Sequence, residues 1–170
     1  AGAAEHDPLE VAARRFLNNK FLAERALRII GLANWIAGFD ELRINPCSRR
    51  AVHAAAWFQD AWCCRDLQAR RFVAPLVLTQ QPTESQRREA ADIAAAALQD
   101  LVDPATLTTT LRIIRESGLR EIVLPEATVL IEATNLDSIG PLWLCGQLAR
   151  CAAEGQPAAA AIALWERQLD

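Results

Sequence analysis

Residues 51–62 read AVHAAAWFQDAW, a stretch that predicts a buried helix ending in two polar side chains. At 3.6 residues per turn, apolar side chains surround both Gln59 and Asp60. These neighbours are Val52, Ala55, Ala56, Trp57, Trp62, Cys63 and Cys64. A buried carboxylate costs several kcal/mol of folding free energy unless it is paired, protonated or bound to a metal. Asp60 is therefore the first candidate for either chemistry or a structural ion pair.

Local signals for helix starts and ends divide most of the chain. An aspartate followed by proline predicts a helix start at residues 7–8 and again at residues 103–104. Thr83 and Gln86 have the spacing of a capping box, which also predicts a helix start. Glycine favours the left-handed backbone that ends many helices, so Gly118 and Gly155 are predicted helix ends.

The remaining segments favour helix as well. Residues 21–39 carry one apolar stripe at helical spacing, and Ser48 is the predicted cap of the helix that leads to Asp60. A strand is conceivable only at residues 72–79, where proline would interrupt it. Together these patterns predict an all-α, compact bundle of about seven helices that forms one domain over residues 1–170.

Composition excludes several classes of protein. A net charge of −3 does not favour nucleic acid as a partner. No apolar run reaches the roughly 18 residues that a membrane span needs, and the first residues do not resemble a signal peptide. The five cysteines lack a CxxC spacing, so reduced thiols in a cytoplasmic protein are expected. They are Cys47, Cys63, Cys64, Cys145 and Cys151.

Three segments resemble the HD superfamily of metal-dependent phosphohydrolases, in particular its small bacterial single-domain members. They are NNKFLAERALR at residues 18–28, AAAWFQDAW at residues 54–62 and IEATNLDSIG at residues 131–140. They correspond in order to the HDxxHxxRV, HD and DADRLDAIG segments of that family. The most specific matches are Arg25, Asp60 and the run from Leu136 to Gly140. The resemblance implies an HD-like helical bundle and an ancestral site for a divalent metal.

The metal ligands of that family do not carry over to this chain. The first metal histidine falls on Leu22, the histidine of the HD pair on Gln59, and the last metal aspartate on Thr134. The residues that open the first motif fall on Asn18 and Asn19. Asp60 is the only metal-ligand position retained, so no catalytic residue is assigned. One carboxylate with two neutral donors is a poor site for an ion that prefers about six ligands.

Asp60 has two candidate partners. Arg25 matches the arginine of the resembled family one turn after the ligand position, and it would keep Asp60 ionised. Asp137 shares a helix face with Thr134, whereas Glu132 points away from it. Asp137 either anchors the helix end or joins Asp60 in a weak metal site for manganese, magnesium or nickel. The candidate binding residues are Arg25, Gln59, Asp60, Thr134 and Asp137; otherwise no metal or other cofactor is expected.

Three functions remain open. The favoured one is an HD-type domain that has lost its metal ligands and acts as a non-catalytic binding or interaction module, for a small anionic ligand or a protein. The alternative is a metal-dependent phosphohydrolase of nucleotides or other phosphate esters, with an altered site around Asp60. A third, compatible with the first, is a homodimer formed through the C-terminal helix. The apolar stripe of that helix contains Ala158, Ala161, Ile162 and Trp165.

Overall fold

The computed structural model describes residues 7–39, 44, 46–64, 79, 81–118 and 124–169. Within these residues the chain forms eight α-helices and no strand, which confirms the predicted all-α bundle. The helices are α1 Pro8–Leu17, α2 Lys20–Ile36, α3 Pro46–Phe58, α4 Glu84–Leu98, α5 Pro104–Glu116, α6 Pro125–Ser138, α7 Pro141–Ala153 and α8 Ala158–Leu169. A short 3₁₀ helix, Ala61–Cys63, follows α3. Residues 72–78 of the candidate strand and the side chain of Cys47 lie outside the described part.

The predicted caps hold the helix starts in place. Asp7 accepts a hydrogen bond from the Leu9 amide at 3.0 Å, and Asp103 accepts one from the Thr106 amide at 2.9 Å. Thr83 and Gln86 form both bonds of the capping box. Five of the helices, α1, α3, α5, α6 and α7, begin at a proline. Proline suits the first helical position because that residue needs no amide donor.

Helix α3 lies at the centre of the bundle and packs against α1, α2, α4, α5 and α6. Between residues 51 and 58 only His53 is not fully buried. Alanines at positions 51, 54, 55 and 56 are exposed by 2% or less, so neighbouring helices can approach α3 closely from several sides. The predicted burial of this stretch is confirmed.

One apolar core joins helices α1 to α6, and the last two helices lie at its edge. The buried cluster contains residues from each of the first six helices and none from α7 or α8. Helix α7 packs against α6, and α8 packs against α7. The Trp165 indole N–H of α8 donates to the Ile139 carbonyl at 2.9 Å, which ties this helical hairpin to the end of α6.

Several helix boundaries differ from the prediction. Helix α3 begins at Pro46 rather than after Ser48 and ends at Phe58, so Gln59 and Asp60 lie in the turn that follows. Helix α2 ends at Ile36, three residues early. Gly155 does end α7 with a positive φ of 68°, as predicted.

Gly118 does not act as the predicted left-handed cap. Helix α5 already ends at Glu116, with Ser117 as its cap residue. A Cβ atom at position 118 would collide with the guanidinium group of Arg87, which donates to the Pro82 carbonyl at 2.6 Å. A larger residue at position 118 would therefore require the flexible side chain of Arg87 on α4 to move.

Most of the described cysteines are buried, as expected for reduced thiols. Cys63, Cys64 and Cys151 are buried thiols, whereas the thiol of Cys145 is exposed on α7. Among the described residues, no helix combines the length and the apolar character that a membrane crossing requires.

The Asp103 cap predicts a pH-dependent contribution to stability. The side-chain and backbone hydrogen bonds from Thr106 lower the pKa of Asp103 below its ordinary value of 3.8. A lowered pKa in the folded state stabilises the fold above pH 3.8, and this contribution is lost as the pH falls through the folded-state pKa. Asp103→Ala should lower the melting temperature by a few degrees at pH 7, and the difference from the wild type should shrink in acid.

Asp100→Ala is the matched control, because Asp100 is an exposed aspartate in the turn that precedes this cap. It should leave thermal unfolding, followed by circular dichroism, nearly unchanged at both pH values. Equal losses for the two variants, or a loss that does not depend on pH, would contradict the capping role of Asp103.

Candidate functional site

The turn after α3 brings the sequence-predicted residues together. Arg25 of α2 contacts both Asp60, which lies between α3 and the 3₁₀ helix, and Asp137 of α6. The side chains of Arg25, Asp60 and Asp137 are exposed by 7%, 18% and 11%. The burial predicted for a charged group at this end of α3 is thus present, and the charge has partners.

Four side chains form an ion cluster, namely Arg25, Arg28, Asp60 and Asp137. Arg25 Nη1 donates to Asp60 Oδ2, and Arg25 Nε lies 3.3 Å from Asp137 Oδ2. Arg28 Nε donates to Asp137 Oδ1 at 2.8 Å. Its Nη2 donates to Asp137 Oδ2 at 3.4 Å. The cluster joins α2, the end of α3 and α6, and its formal charges cancel.

The electrostatics of the cluster keep Arg25 charged. Burial alone would lower the pKa of Arg25, but the attraction of Asp60 and Asp137 and the hydrogen bond to Asp60 outweigh burial, and the pKa is raised. A guanidinium group with a raised pKa stays protonated at every pH at which proteins function. The expected contact between Arg25 and Asp60 is therefore present, with a guanidinium group that stays charged.

Gln59 and Thr134 interact with each other beside the cluster. The Thr134 hydroxyl donates to the Leu130 carbonyl of its own helix at 2.8 Å, and Gln59 Oε1 is a second acceptor at 3.4 Å. Gln59 Nε2 and Trp62 Nε1 are buried without a hydrogen-bond partner in the described part of the chain. The polar groups at this end of α3 are therefore not all hydrogen-bonded. An unpaired buried donor costs about 1–3 kcal/mol of folding free energy.

Residues at the other positions of the resembled motif serve local structure. Leu22 is 2% exposed and belongs to the apolar core. Asn19 caps α2 by accepting a hydrogen bond from the Leu22 amide at 3.1 Å. Asn18 ends α1 in a left-handed conformation with φ of 42°. Asparagine tolerates this conformation better than most residues do, which explains an asparagine at position 18.

The residues around Asp60 do not fit a divalent metal. Both nearby carboxylates are already bonded to guanidinium groups, and a cation placed between them would meet the positive charge of Arg25. Leu22 has no lone pair, and the Thr134 hydroxyl is bonded to a backbone carbonyl. Among the described residues no group of three or more His, Cys, Asp or Glu side chains is arranged to hold a metal ion. Glu132 is exposed, as its position on the helix predicted.

Neither Cys64 nor His53 supplies a reactive group to the cluster. Burial and the negative charge of Asp60 raise the pKa of the Cys64 thiol to about 11, so the thiol stays protonated and unreactive near pH 7. His53 Nε2 lies 2.8 Å from Asn34 Oδ1, which links α3 to α2. Burial and the positive charge of Arg49 lower the pKa of His53, against a smaller opposite effect of Asp7.

A surface groove of about 550 Å³ lies away from the ion cluster, between α1 and α4. Its lining residues are Phe16, Ser85, Arg88, Glu89, Asp92, Ile93 and Ala96. Arg88 pairs with Glu84 on its own helix, and Asp92 lies 3.6 Å from Arg115. Arg88 and Asp92 are thus each paired with a charged neighbour.

The sequence analysis missed Arg28. It lies three residues after Arg25 and so shares the same face of α2, which was a usable signal. Its side chain is 33% exposed, and its Nε lies 2.8 Å from Asp137 Oδ1. Asp137 therefore anchors α6 to α2 through two arginines.

Removing Arg25 should destabilise the protein strongly. Arg25→Met keeps the bulk of the side chain but leaves Asp60 without its cation, and breaking a buried pair in this way costs roughly 3–5 kcal/mol. Arg28→Met is the matched control, because Asp137 retains Arg25 and Arg28 is one-third exposed. It should cost roughly 1 kcal/mol or less in urea unfolding experiments.

The double variant Arg25→Met with Asp60→Leu should recover part of that loss, because neither charge then remains buried alone. Additive losses for the two substitutions would show that the Arg25–Asp60 pair does not stabilise the fold.

Comparison of this chain with protein-family models, with curated proteins and with solved structures gave no match.

Proposed function

We propose that this protein is a non-catalytic, HD-type helical module that works by interacting with another protein. The observation that supports this is the position of the Arg25 guanidinium group, which bonds to Asp60 and contacts Asp137. Those two carboxylates are the acidic groups that a metal site at this place would need. Each of them already has a cation that belongs to the chain.

The proposed loss of catalysis follows from what a guanidinium group can and cannot do. It neutralises carboxylates much as a metal ion does, and it forms directional hydrogen bonds with them. It has no vacant coordination position, so it cannot coordinate a water molecule and lower the pKa of that water. A hydrolase that depends on metal-bound hydroxide would therefore have no nucleophile here.

The cluster is also a poor binding site for a small anion. Its two arginines are balanced by two aspartates, so no net positive charge is available to attract a phosphate group. Arg25 is buried, and Arg28 already uses two of its nitrogens on Asp137. A protein partner that contacts the outer surface is favoured over a small ligand held at the cluster.

Metal binding and hydrolysis provide the direct test. The wild-type protein, equilibrated with manganese and dialysed, should retain no stoichiometric metal by elemental analysis. It should hydrolyse nucleotides and phosphate monoesters no faster than its Asp60→Ala variant. Stoichiometric manganese together with hydrolysis that Asp60→Ala abolishes would overturn the proposal in favour of a metal-dependent phosphohydrolase.

A second variant tests the proposed HD ancestry separately. Leu22→His, Gln59→His and Thr134→Asp together restore the ligand types that the resembled family has at these positions. If α2, α3 and α6 hold them in the inherited geometry, the triple variant should bind manganese at least 100-fold more tightly than the wild type.

Manganese should then also raise the melting temperature of the triple variant, because a ligand that binds only the folded state stabilises it. The matched control carries Asp60→Ala in addition and should lose most of this gain. A folded triple variant without metal affinity would contradict the HD ancestry but not the absence of catalysis. If the triple variant does not fold, the wild-type assays still decide the catalytic question.

A further inference from the structure

The outer face of α7 is uniformly apolar. Leu142, Cys145, Ala149 and Ala153 are all exposed, and Leu142 is 45% exposed. Their spacing of three, four and four residues places them within an arc of about 80° along the whole helix. We call these four residues the α7 stripe. The solvent-facing side of a surface helix normally carries polar and charged residues, so this pattern indicates a covered surface.

Charges are almost absent from the hairpin that carries the stripe. Between Pro141 and Trp165 the charged residues are Arg150 and Glu154, which lie 3.8 Å apart as an i,i+4 pair. The neighbouring helix α8 also exposes apolar side chains, including Ile162 at 46%. Up to Trp165 the hairpin therefore carries one ion pair, and the exposed Glu166 and Arg167 follow in the last turn of α8.

Packing within the monomer does not explain why the exposed residues of the hairpin are apolar, because other side chains attach the hairpin to the rest of the chain. Trp143, Cys151 and Ala161 are the apolar side chains that the hairpin buries. Ala161 and Trp165 belong to the α8 stripe that was predicted to form a dimer, but they pack against this chain itself. These two residues are thus engaged within the monomer, whereas the α7 stripe and Ile162 of α8 remain exposed.

We propose that the α7 stripe is a self-association surface, on which a second copy of this chain packs its own α7 in antiparallel orientation. This rests on the proposed function as an interaction module and names its partner. A two-fold axis near residues 147 and 148 places Leu142 of one copy beside Ala153 of the other. Cys145 and Ala149 then meet near the axis.

Two features favour a second copy over a different partner. An uncharged face meets an identical face without repulsion between like charges, which an isologous contact requires. The stripe also has its one large side chain, Leu142, at one end and the small Ala153 at the other. Antiparallel packing therefore sets large against small at both ends, and the small residues at the centre permit a close helix approach of about 8 Å.

The area of the stripe predicts a weak dimer. A 13-residue helix is about 20 Å long and 10 Å wide, so one face provides about 200 Å² per copy, and about 400 Å² if α8 contributes. The total of about 400–800 Å² is below the roughly 1,200 Å² of stable complexes. We therefore expect a dissociation constant of about 10–100 μM, corresponding to a dimer that forms and separates reversibly.

Sedimentation equilibrium of the full chain tests this directly. The wild type should dimerise over the stated concentration range, and Ala149→Glu should weaken the dimer at least tenfold because two charges are buried at the axis. Ala149→Ser keeps the side chain small and should dimerise like the wild type. Leu27→Glu adds the same charge to an exposed residue of α2 and should also have no effect. Circular dichroism should show that all variants remain folded, because the altered side chains are exposed in the monomer.

Cross-linking of Cys145 tests the antiparallel orientation of the two α7 helices. Antiparallel packing puts the two Cys145 residues roughly 10 Å apart, within reach of a short bis-maleimide cross-linker. The wild type should give a covalent dimer that Cys145→Ser abolishes and Ala149→Glu strongly reduces.

A wild type that stays monomeric at about ten times the expected dissociation constant would overturn this inference. A dimer that Ala149→Glu leaves unchanged would do so as well. Neither result would touch the proposed absence of catalysis, which fails only if the wild-type protein binds metal and hydrolyses phosphate esters.

Discussion

The burial of α3 between Ala51 and Phe58, where every residue except His53 is buried, is the constraint on which the rest of the structure depends. A helix packed against five neighbours cannot leave polar groups at its end to water, so they must find partners inside the protein. Asp60 finds Arg25 on α2, and Arg25 also contacts Asp137 on α6. One side chain thereby connects three helices at the point where the apolar packing around α3 ends. In the described part of the chain the amide nitrogen of Gln59 has no hydrogen-bond partner, so not every polar group at this end of α3 is paired.

The same constraint links stability to the proposed function. Two carboxylates close together in a partly buried site need positive charge, which either a metal ion or fixed side chains can supply. In this chain Arg25 and Arg28 supply it. Fixed guanidinium groups preserve the charge balance of a metal site without its capacity to activate water. Under the proposed function, the protein keeps the architecture that holds Asp60 and Asp137 on Arg25 without carrying out hydrolysis.

The two ends of the chain use apolar residues differently. Helices α1 to α6 contribute to one buried cluster, in which the apolar side chains contact each other. Helix α7 has apolar residues on its exposed side as well as its buried side, and it is attached to the body mainly through α6. Alanine on an exposed helix face is compatible with high helix propensity alone, but the exposed Leu142 and Ile162 are not explained by propensity. This contrast is the physical basis for proposing that the hairpin, and not the α1–α6 core, carries the surface for self-association.

The amino-acid sequence by itself determined the helical class, most helix starts and the burial of the stretch around Asp60. These depend on short-range chemistry, such as the Asp103 cap, the Thr83 capping box and the 3.6-residue period. Tertiary structure decided which groups meet across helices. The sequence showed that Asp60 needed a partner, and Arg25 was anticipated, but the second arginine on Asp137 required the actual placement of α2 beside α6. An apolar stripe likewise indicates that a helix face is covered, but it does not specify what covers it. The hydrophobic effect is non-directional, whereas ion pairs depend on the geometry of the two charged groups.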